Sequence, residues 1–459
     1  MVELGVFLPV LSSGWVVSTA APQYQPSYEM NKAITWLAED LGFRFVLSPV
    51  KYRGFGGPTE QWDYTLESFE VMAALAEATD RIQLYGSVAL PTVHPAITAR
   101  RAATIDHISQ GRFGINLVSG WQKDEYEQMG LWPGDEHYQR RYQYAREYVD
   151  VLKLLWSQRD VDYEGEFFRL RDCRILPHPE RPLPLVCAGQ SDVGMRFTAQ
   201  RADYAFVIGD ISGDAVFAAN RKLQEYAEET GRDVGAYVLY TLVLGETEAE
   251  ARAKSDCWVA HADREALATM MGQAALDALG GTAAALQGVA YIGITPIIAS
   301  YAQCAAILDR IGAVPGTKGI MLIFPECLEG LQVFGERVLP HMRTAKLDPP
   351  RDPLAGTVYP RSPRLGSMPM HETSSKHFGP IREAALAFLG GAYSVQEVHY
   401  ELAFADAEEH LLSIGLFLMG SDYDAVPRQA ILEGFAPYAC AGKIVMPLMH
   451  KHFMVRHHM

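Results

Sequence analysis

The sequence predicts an α/β fold, a TIM (β/α)8 barrel carrying an insertion and a C-terminal extension. Short apolar runs alternate with amphipathic stretches along residues 1–343, the pattern of a parallel sheet covered by helices. Within 111–130, GRFGINLVSGWQKDEYEQMG, the apolar run Phe113–Val118 empties into a polar, aromatic loop, as barrel strands do at the face that carries function. No GxGxxG follows the first apolar run, which disfavours the doubly wound dinucleotide-binding sheet.

In chain order, Leu4–Leu8 is the first expected strand, and Ser12, Ser13, Gly14 and Trp15 open a long polar loop reaching Pro26. Asn31–Leu41 has helical periodicity, and Phe43–Leu47 is the second strand. A basic, glycine-rich loop, Val50–Gly57, follows it. Leu66, Phe69, Met72, Ala73 and Ala76 share one helical face, Ile82–Ser87 makes strand three, and Pro95–Ser109 the next helix. After strand four, Tyr138–Trp156 is amphipathic, with Tyr148, Val151, Leu152 and Leu155 inward, and Tyr163–Leu170 reads as a hairpin. Leu185–Ala188, Ala205–Ile208, Tyr237–Leu244 and Gly319–Phe324 complete eight strands, interleaved with helical segments. Residues 247–290 form an alanine-rich helical insertion in the barrel, 1–343. Six prolines between Pro349 and Pro369 mark a linker, 344–380. Residues 381–459 read as a small, mostly helical appendage, with helices at Ile381–Gly391 and Asp406–Met419.

Composition narrows the function. No stretch approaches the roughly 18 apolar residues of a membrane span. A net charge of −15 without a basic stripe argues against nucleic acid. Six scattered cysteines and the absence of a signal-peptide pattern suit a cytoplasmic protein with free thiols. HExxH, a Walker loop, GxSxG and paired Cys/His ligand sets are all missing, so no metal site is expected. The tail MPLMHKHFMVRHHM has the residue types of a copper site but reads as a non-functional terminus.

The polar residues at the strand ends allow two readings each. Ser191, in AGQSD, suits a phosphate at a helix N-terminus or a plain N-cap. Arg141, beside Tyr142, offers a fork to a phosphate or carboxylate, or is a surface arginine. Asn116 suits a planar heterocycle, or is a buried amide satisfied by the backbone. Glu125 and Asp124 pattern as a solvated acid pair. A barrel lacking its own nucleophile and metal but rich in amide and aromatic groups points to cofactor chemistry.

AAPQYQP, KYRGFGGPTEQWDYTLESF, GRFGINLVSGWQKDEYEQMGLWPGD, RYQYAREYV, VCAGQSDVGMRF and PGTKGIMLIF resemble the pyrimidine oxygenases of the bacterial luciferase-like monooxygenase superfamily. The likeness covers roughly residues 1–343. It implies a luciferase-like TIM barrel using O2 and reduced FMN, the latter supplied by a separate NADH-dependent flavin reductase. The implied reaction opens the uracil or thymine ring at the N3–C4 amide, giving a ureidoacrylate-type product. FMN contacts would be Val50, Lys51, Asn116, Glu125, Arg141, Tyr142 and Ser191, and the oxygen-handling pocket Leu47, Ser87, Asn116 and Trp121. Barrels of this type usually pair, so a homo-oligomer is expected.

Two positions depart from the family pattern: Ser87 replaces the usual Thr and Pro49 the usual Met. Serine keeps the hydroxyl but loses a methyl, and proline removes a backbone donor beside Val50 and Lys51. Substrate identity therefore stays open to a sulfone, sulfonate or halogenated aromatic. A deazaflavin-dependent dehydrogenase and a non-catalytic flavin-binding subunit are the remaining alternatives.

Overall fold

The computed structural model describes residues 1–277 and 290–348 in full, and the backbone of 439–440, 443–448 and 451–456. Two compact units divide the chain, Met1–Pro350 and Arg351–Met459.

The first unit is a closed parallel barrel. Its wall runs β1 (Val2–Phe7), β2 (Phe45–Ser48), β3 (Gln83–Ala89) and β4 (Phe113–Val118), each paired with the next. It continues, past an antiparallel hairpin of β5 (Val161–Glu164) and β6 (Arg169–Cys173), through β7 (Leu185–Ala188), β8 (Tyr204–Ile208) and β9 (Gly235–Gly245). After β10 (Pro296–Ser300), β11 (Thr317–Ile323) pairs with both β9 and β1 and closes the ring. The helices around it are α1 (Tyr28–Asp40), α2 (Ser68–Ala78), α3 (Pro95–Ser109), α4 (Lys123–Glu127), α5 (His137–Ser157), α6 (Asp192–Arg201) and α7 (Asp214–Glu228). They continue as α8 (Glu248–Ala260), α9 (Arg264–Ala274), α10 (Tyr301–Gly312) and α11 (Cys327–Arg337). The eight expected strands are all present.

Strand alternation divides the core in two. Leu84, Val88, Ile115, Leu117, Val238 and Tyr240 face the helices in one large cluster. Phe45, Leu47, Tyr85, Val186, Tyr237, Leu239 and Met321 turn inward and fill the lumen. At the N-terminal ends of the strands the lumen is closed by aromatics. Phe45 and Tyr204 stack on opposite sides of the sequence's Tyr237 at 4.3 and 4.2 Å, nearly parallel, and the Tyr85 hydroxyl lies 3.3 Å from that of Tyr237. Gly5 makes this floor possible, because a Cβ there would fall inside the Phe45 ring.

One parallel strand was not apparent from the sequence. β10 pairs with Thr241–Gly245, the outer half of the long β9. It opens with a proline and spans only five residues, too little pattern to separate it from a loop. The short β12 (Ala345–Lys346) pairs with Val2–Glu3, so backbone pairing continues past Arg343 into the proposed linker.

The insertion begins with α8, opened by a capping box of Thr247 and Glu250, followed by α9, capped by Asp263. Asp263 also accepts from the backbone N–H and hydroxyl of Thr59 at 2.9 and 2.8 Å, tying the insertion to the loop after β2. In the second unit the described backbone is an antiparallel sheet of β13 (Ala439–Cys440), β14 (Lys443–Leu448) and β15 (Lys451–Arg456). The helices expected at 381–391 and 406–419 lie outside the described residues, as do residues 278–289 of the insertion.

Candidate active site

The C-terminal ends of β2, β3 and β4 carry a chain of polar side chains turned into the lumen. Ser87 and Asn116 are register partners on adjacent strands, and both are buried. The Ser87 hydroxyl donates to the Ser48 carbonyl at 2.6 Å. A carbonyl oxygen has no proton to give, so Ser87 must be the donor there. The 2.8 Å contact between Ser87 Oγ and Asn116 is then donated by Asn116 Nδ2. Asn116 Oδ1 is left buried with no partner among the described residues. The relay thus fixes the amide so that its acceptor is unspent. Ser68, at the start of α2, braces the arrangement: its hydroxyl donates to the Ser48 carbonyl at 3.2 Å and accepts from the Ser87 N–H at 2.8 Å.

A second group lies on the loop after β2. Pro49 ends the strand, Val50 is half-buried, and the Lys51 ammonium is buried against Glu125 Oε2 at 2.9 Å. Glu125 Oε1 accepts from the Tyr52 N–H at 2.7 Å. Three rings wall the ammonium: Trp121, Phe55 and Trp62, at 4.9, 5.1 and 6.0 Å. Burial lowers the Lys51 pKa, and Glu125 works against that shift. Glu125 is therefore no solvated acid: the short helix α4, opaque in the sequence, turns it inward while Asp124 stays half-exposed. His137, at the start of α5, holds the preceding turn, with Nε2 2.8 Å from the Ser119 carbonyl. That turn delivers the half-buried Trp121.

Arg141, Tyr142 and Ser191 make the third group. Arg141 is buried; its Nη2 reaches Asp277 at 3.0 Å, and its Nε is buried without a partner among the described residues. Tyr142 is half-buried beside Gly189 and Gly194, and burial above all pushes its phenol up to about 12. Ser191 is exposed and caps α6, accepting from the Gly194 N–H at 3.2 Å. Gly189 lies against Tyr142, whose hydroxyl occupies the space a Cβ would need. Of the two readings the sequence allows for Ser191, the N-cap is the one this geometry displays.

Leu47, Ser87 and Asn116 are thus gathered on the lumen wall, and Val50, Lys51, Trp121 and Glu125 around the neighbouring loop. Arg141, Tyr142 and Ser191 lie between α5 and α6. Sequence reasoning missed Ser48 and Ser68, Asp277 as the partner of Arg141, and His137. None carries a motif; each is defined only by what it meets across the fold. Among the described residues no group of three or more His, Cys, Asp or Glu side chains is placed to hold a metal. No helix is long and apolar enough to cross a membrane, again among the described residues.

Residues 2–306 match the family model of the luciferase-like monooxygenases. The chain belongs to that family. It is 48% identical to the pyrimidine monooxygenase RutA of Escherichia coli O157:H7 over 351 residues, covering 75% of this chain and 92% of the relative. RutA of Escherichia coli strain B / BL21-DE3 matches to the same extent. Among solved structures, riboflavin lyase RcaE with modified FMN and riboflavin superposes with a TM-score of 0.64 at 19% identity, covering 76% of this chain and 94% of that one. The long-chain alkane monooxygenase LadA gives 0.61 at 17%, covering 74% and 90%. EDTA monooxygenase EmoA from Chelativorans sp. BNC1 gives 0.61 at 17%, covering 74% and 93%. These distant structures share the fold. The chain is accordingly an oxidoreductase, a monooxygenase of the flavin-using luciferase-like type. Its residues fit such a cofactor, since the partnerless Arg141 Nε and Asn116 Oδ1 are a buried donor and a buried acceptor left for a ligand.

Proposed function

We propose that this chain is a pyrimidine monooxygenase that takes reduced FMN from a separate NADH-dependent reductase and uses O2 to open the uracil or thymine ring. The bond broken is the N3–C4 amide, and the product is of the ureidoacrylate type. The observation that carries the reading is the 48% identity to pyrimidine monooxygenase RutA over 351 residues. The geometry adds a lumen wall that offers the Asn116 acceptor on the same inner face as apolar Leu47.

Reduced FMN, when bound, supplies the electrons that activate O2. Everything else falls to the chain. Arg141, through its partnerless Nε, and Tyr142 with Ser191 at the start of α6 would hold the phosphate. The Val50–Lys51 backbone would border the ring system, its loop fixed by the Lys51–Glu125 pair and the Tyr52 N–H on Glu125. Leu47, fully buried, and Trp121 exclude water from the reacting atoms. Asn116 meets those atoms, while Ser87 acts through it: its single proton already goes to the Ser48 carbonyl, so it orients the amide. This recasts the Ser87 departure. A hydroxyl is what the relay requires, and serine has one.

The test is aerobic turnover of uracil by the purified protein with FMN, NADH and a flavin reductase, followed by mass spectrometry under 18O2. A ring-opened product carrying one labelled oxygen is expected. NADH consumption yielding H2O2 alone would remove uracil and direct the search to sulfones, sulfonates and halogenated aromatics.

A further inference from the structure

The lumen holds two more polar atoms that no described residue satisfies. Thr241 lies on β9, fully buried, and its hydroxyl has no partner. Tyr237 and Leu239 on that strand face the lumen while Val238, Tyr240 and Leu242 face the helices, so alternation puts Thr241 on the inner face, one step nearer the mouth than Leu239. Trp15, on the loop after β1, stacks on Phe7 at 4.4 Å and packs against the same inner cluster; its indole Nε1 is buried without a partner. One strand, β11, separates β9 from β1, whose following loop carries Trp15. Ile323, the register partner of Thr241, lines a cavity together with Phe7 and Trp15.

Unpaired buried donors are rare in folded proteins, and three unpaired groups inside one lumen are a recognition pattern. Indole Nε1 only donates, the Asn116 oxygen only accepts, and a threonine hydroxyl does either. We propose that Trp15 and Thr241 recognise the substrate across the lumen from Asn116, and that they select a planar ring carrying both C=O and N–H groups. This rests on the pyrimidine reading above. A sulfonate has acceptors but no donor for Asn116, and an alkane or halogenated ring offers neither. Each such ligand would leave buried polar groups unpaired, and sites built to hydrogen-bond a ligand reject analogues that lack the matching group.

The experiment is anaerobic equilibrium dialysis of labelled uracil against the full chain loaded with reduced FMN, so that no turnover enters the readout. Trp15→Phe keeps the stack on Phe7 but removes the N–H, and Thr241→Val keeps the shape but removes the hydroxyl. Each is expected to weaken uracil binding about tenfold, the scale of one lost hydrogen bond. FMN binding should be unchanged in both, and Thr241→Ser should restore uracil affinity. Wild-type uracil affinity in both variants, with FMN retained, would overturn this assignment and leave the pyrimidine reading standing. Absence of uracil binding by the wild-type protein would remove both. Should Thr241→Val fail to fold, Trp15→Phe and Thr241→Ser still decide the matter, since a purely structural Trp15 would leave uracil binding untouched.

Discussion

The floor and the mouth of the barrel are made from the same strands, yet the tyrosine hydroxyls at the floor are paired while several polar atoms at the mouth are not. At the floor, Tyr85 and Tyr237 bring hydroxyls into the core and spend them on each other and on Glu3, which accepts from Tyr237 at 3.4 Å. Their rings are sealed by stacking on Phe45 and Tyr204. At the mouth, Asn116, Arg141, Thr241 and Trp15 each retain a buried donor or acceptor with no partner. An unmade buried hydrogen bond costs about 1–3 kcal/mol, and a ligand at the mouth would supply the missing halves.

The largest effect expected from breaking this contrast is at Glu125. Glu125→Ala leaves the Lys51 ammonium buried and unpaired, and should cost about 3–5 kcal/mol in denaturant unfolding. Replacing the pair together, Lys51→Met with Glu125→Leu, should recover most of that stability while FMN binding stays weak, separating what the fold needs from what the site needs. Asn116→Ala should lower product formed per flavin oxidised by about a hundredfold, the scale of one preorganised polar contact, with the balance appearing as H2O2. Unchanged coupling would take Asn116 out of the chemistry. For Ser87→Ala the loss should be smaller, about tenfold, because the amide survives but its orientation does not; Ser87→Thr should keep the coupling. At the floor, Tyr237→Phe should cost only about 1 kcal/mol of stability and leave coupling intact. A coupling defect there would break the division between the two ends.

Much of the fold was legible because barrel strands are buried on both faces: Phe113–Val118 announces itself as an apolar run, and the helices by their spacing. β10 and α4 were not, being five residues each and without a periodic signal. The site residues that matched a motif, among them Lys51, Asn116 and Arg141, were legible only through that resemblance. Their partners were not. Ser48 and Ser68 are ordinary serines until the barrel brings Ser48 against Ser68 and Ser87, 20 and 39 positions further on. Glu125 looked solvated because DEYE is a polar string, and only α4 decides which acid turns inward.

The smallest expected effect is in pH dependence. Burial above all holds the His137 imidazole below its usual 6.5, against the pull of the Ser119 and Gly120 carbonyls. In the unfolded chain His137 takes up a proton near 6.5, while the folded protein resists until lower pH. Stability should therefore fall as pH drops below 6.5, and His137→Gln should flatten that slope in denaturation curves measured across the range.

The floor is also where the chain enters and leaves the barrel. The Val2 N–H donates to the Thr344 carbonyl at 2.7 Å, and Asp348 pairs with Arg44 beside Glu3. Entry and exit thus share one rung of backbone pairing, at the end away from Asn116. The barrel is suited to circular permutation, because a short bridge from Asp348 to Val2 would follow a path already laid. A tether placed on that bridge would hold the barrel by the end of its strands opposite to Asn116.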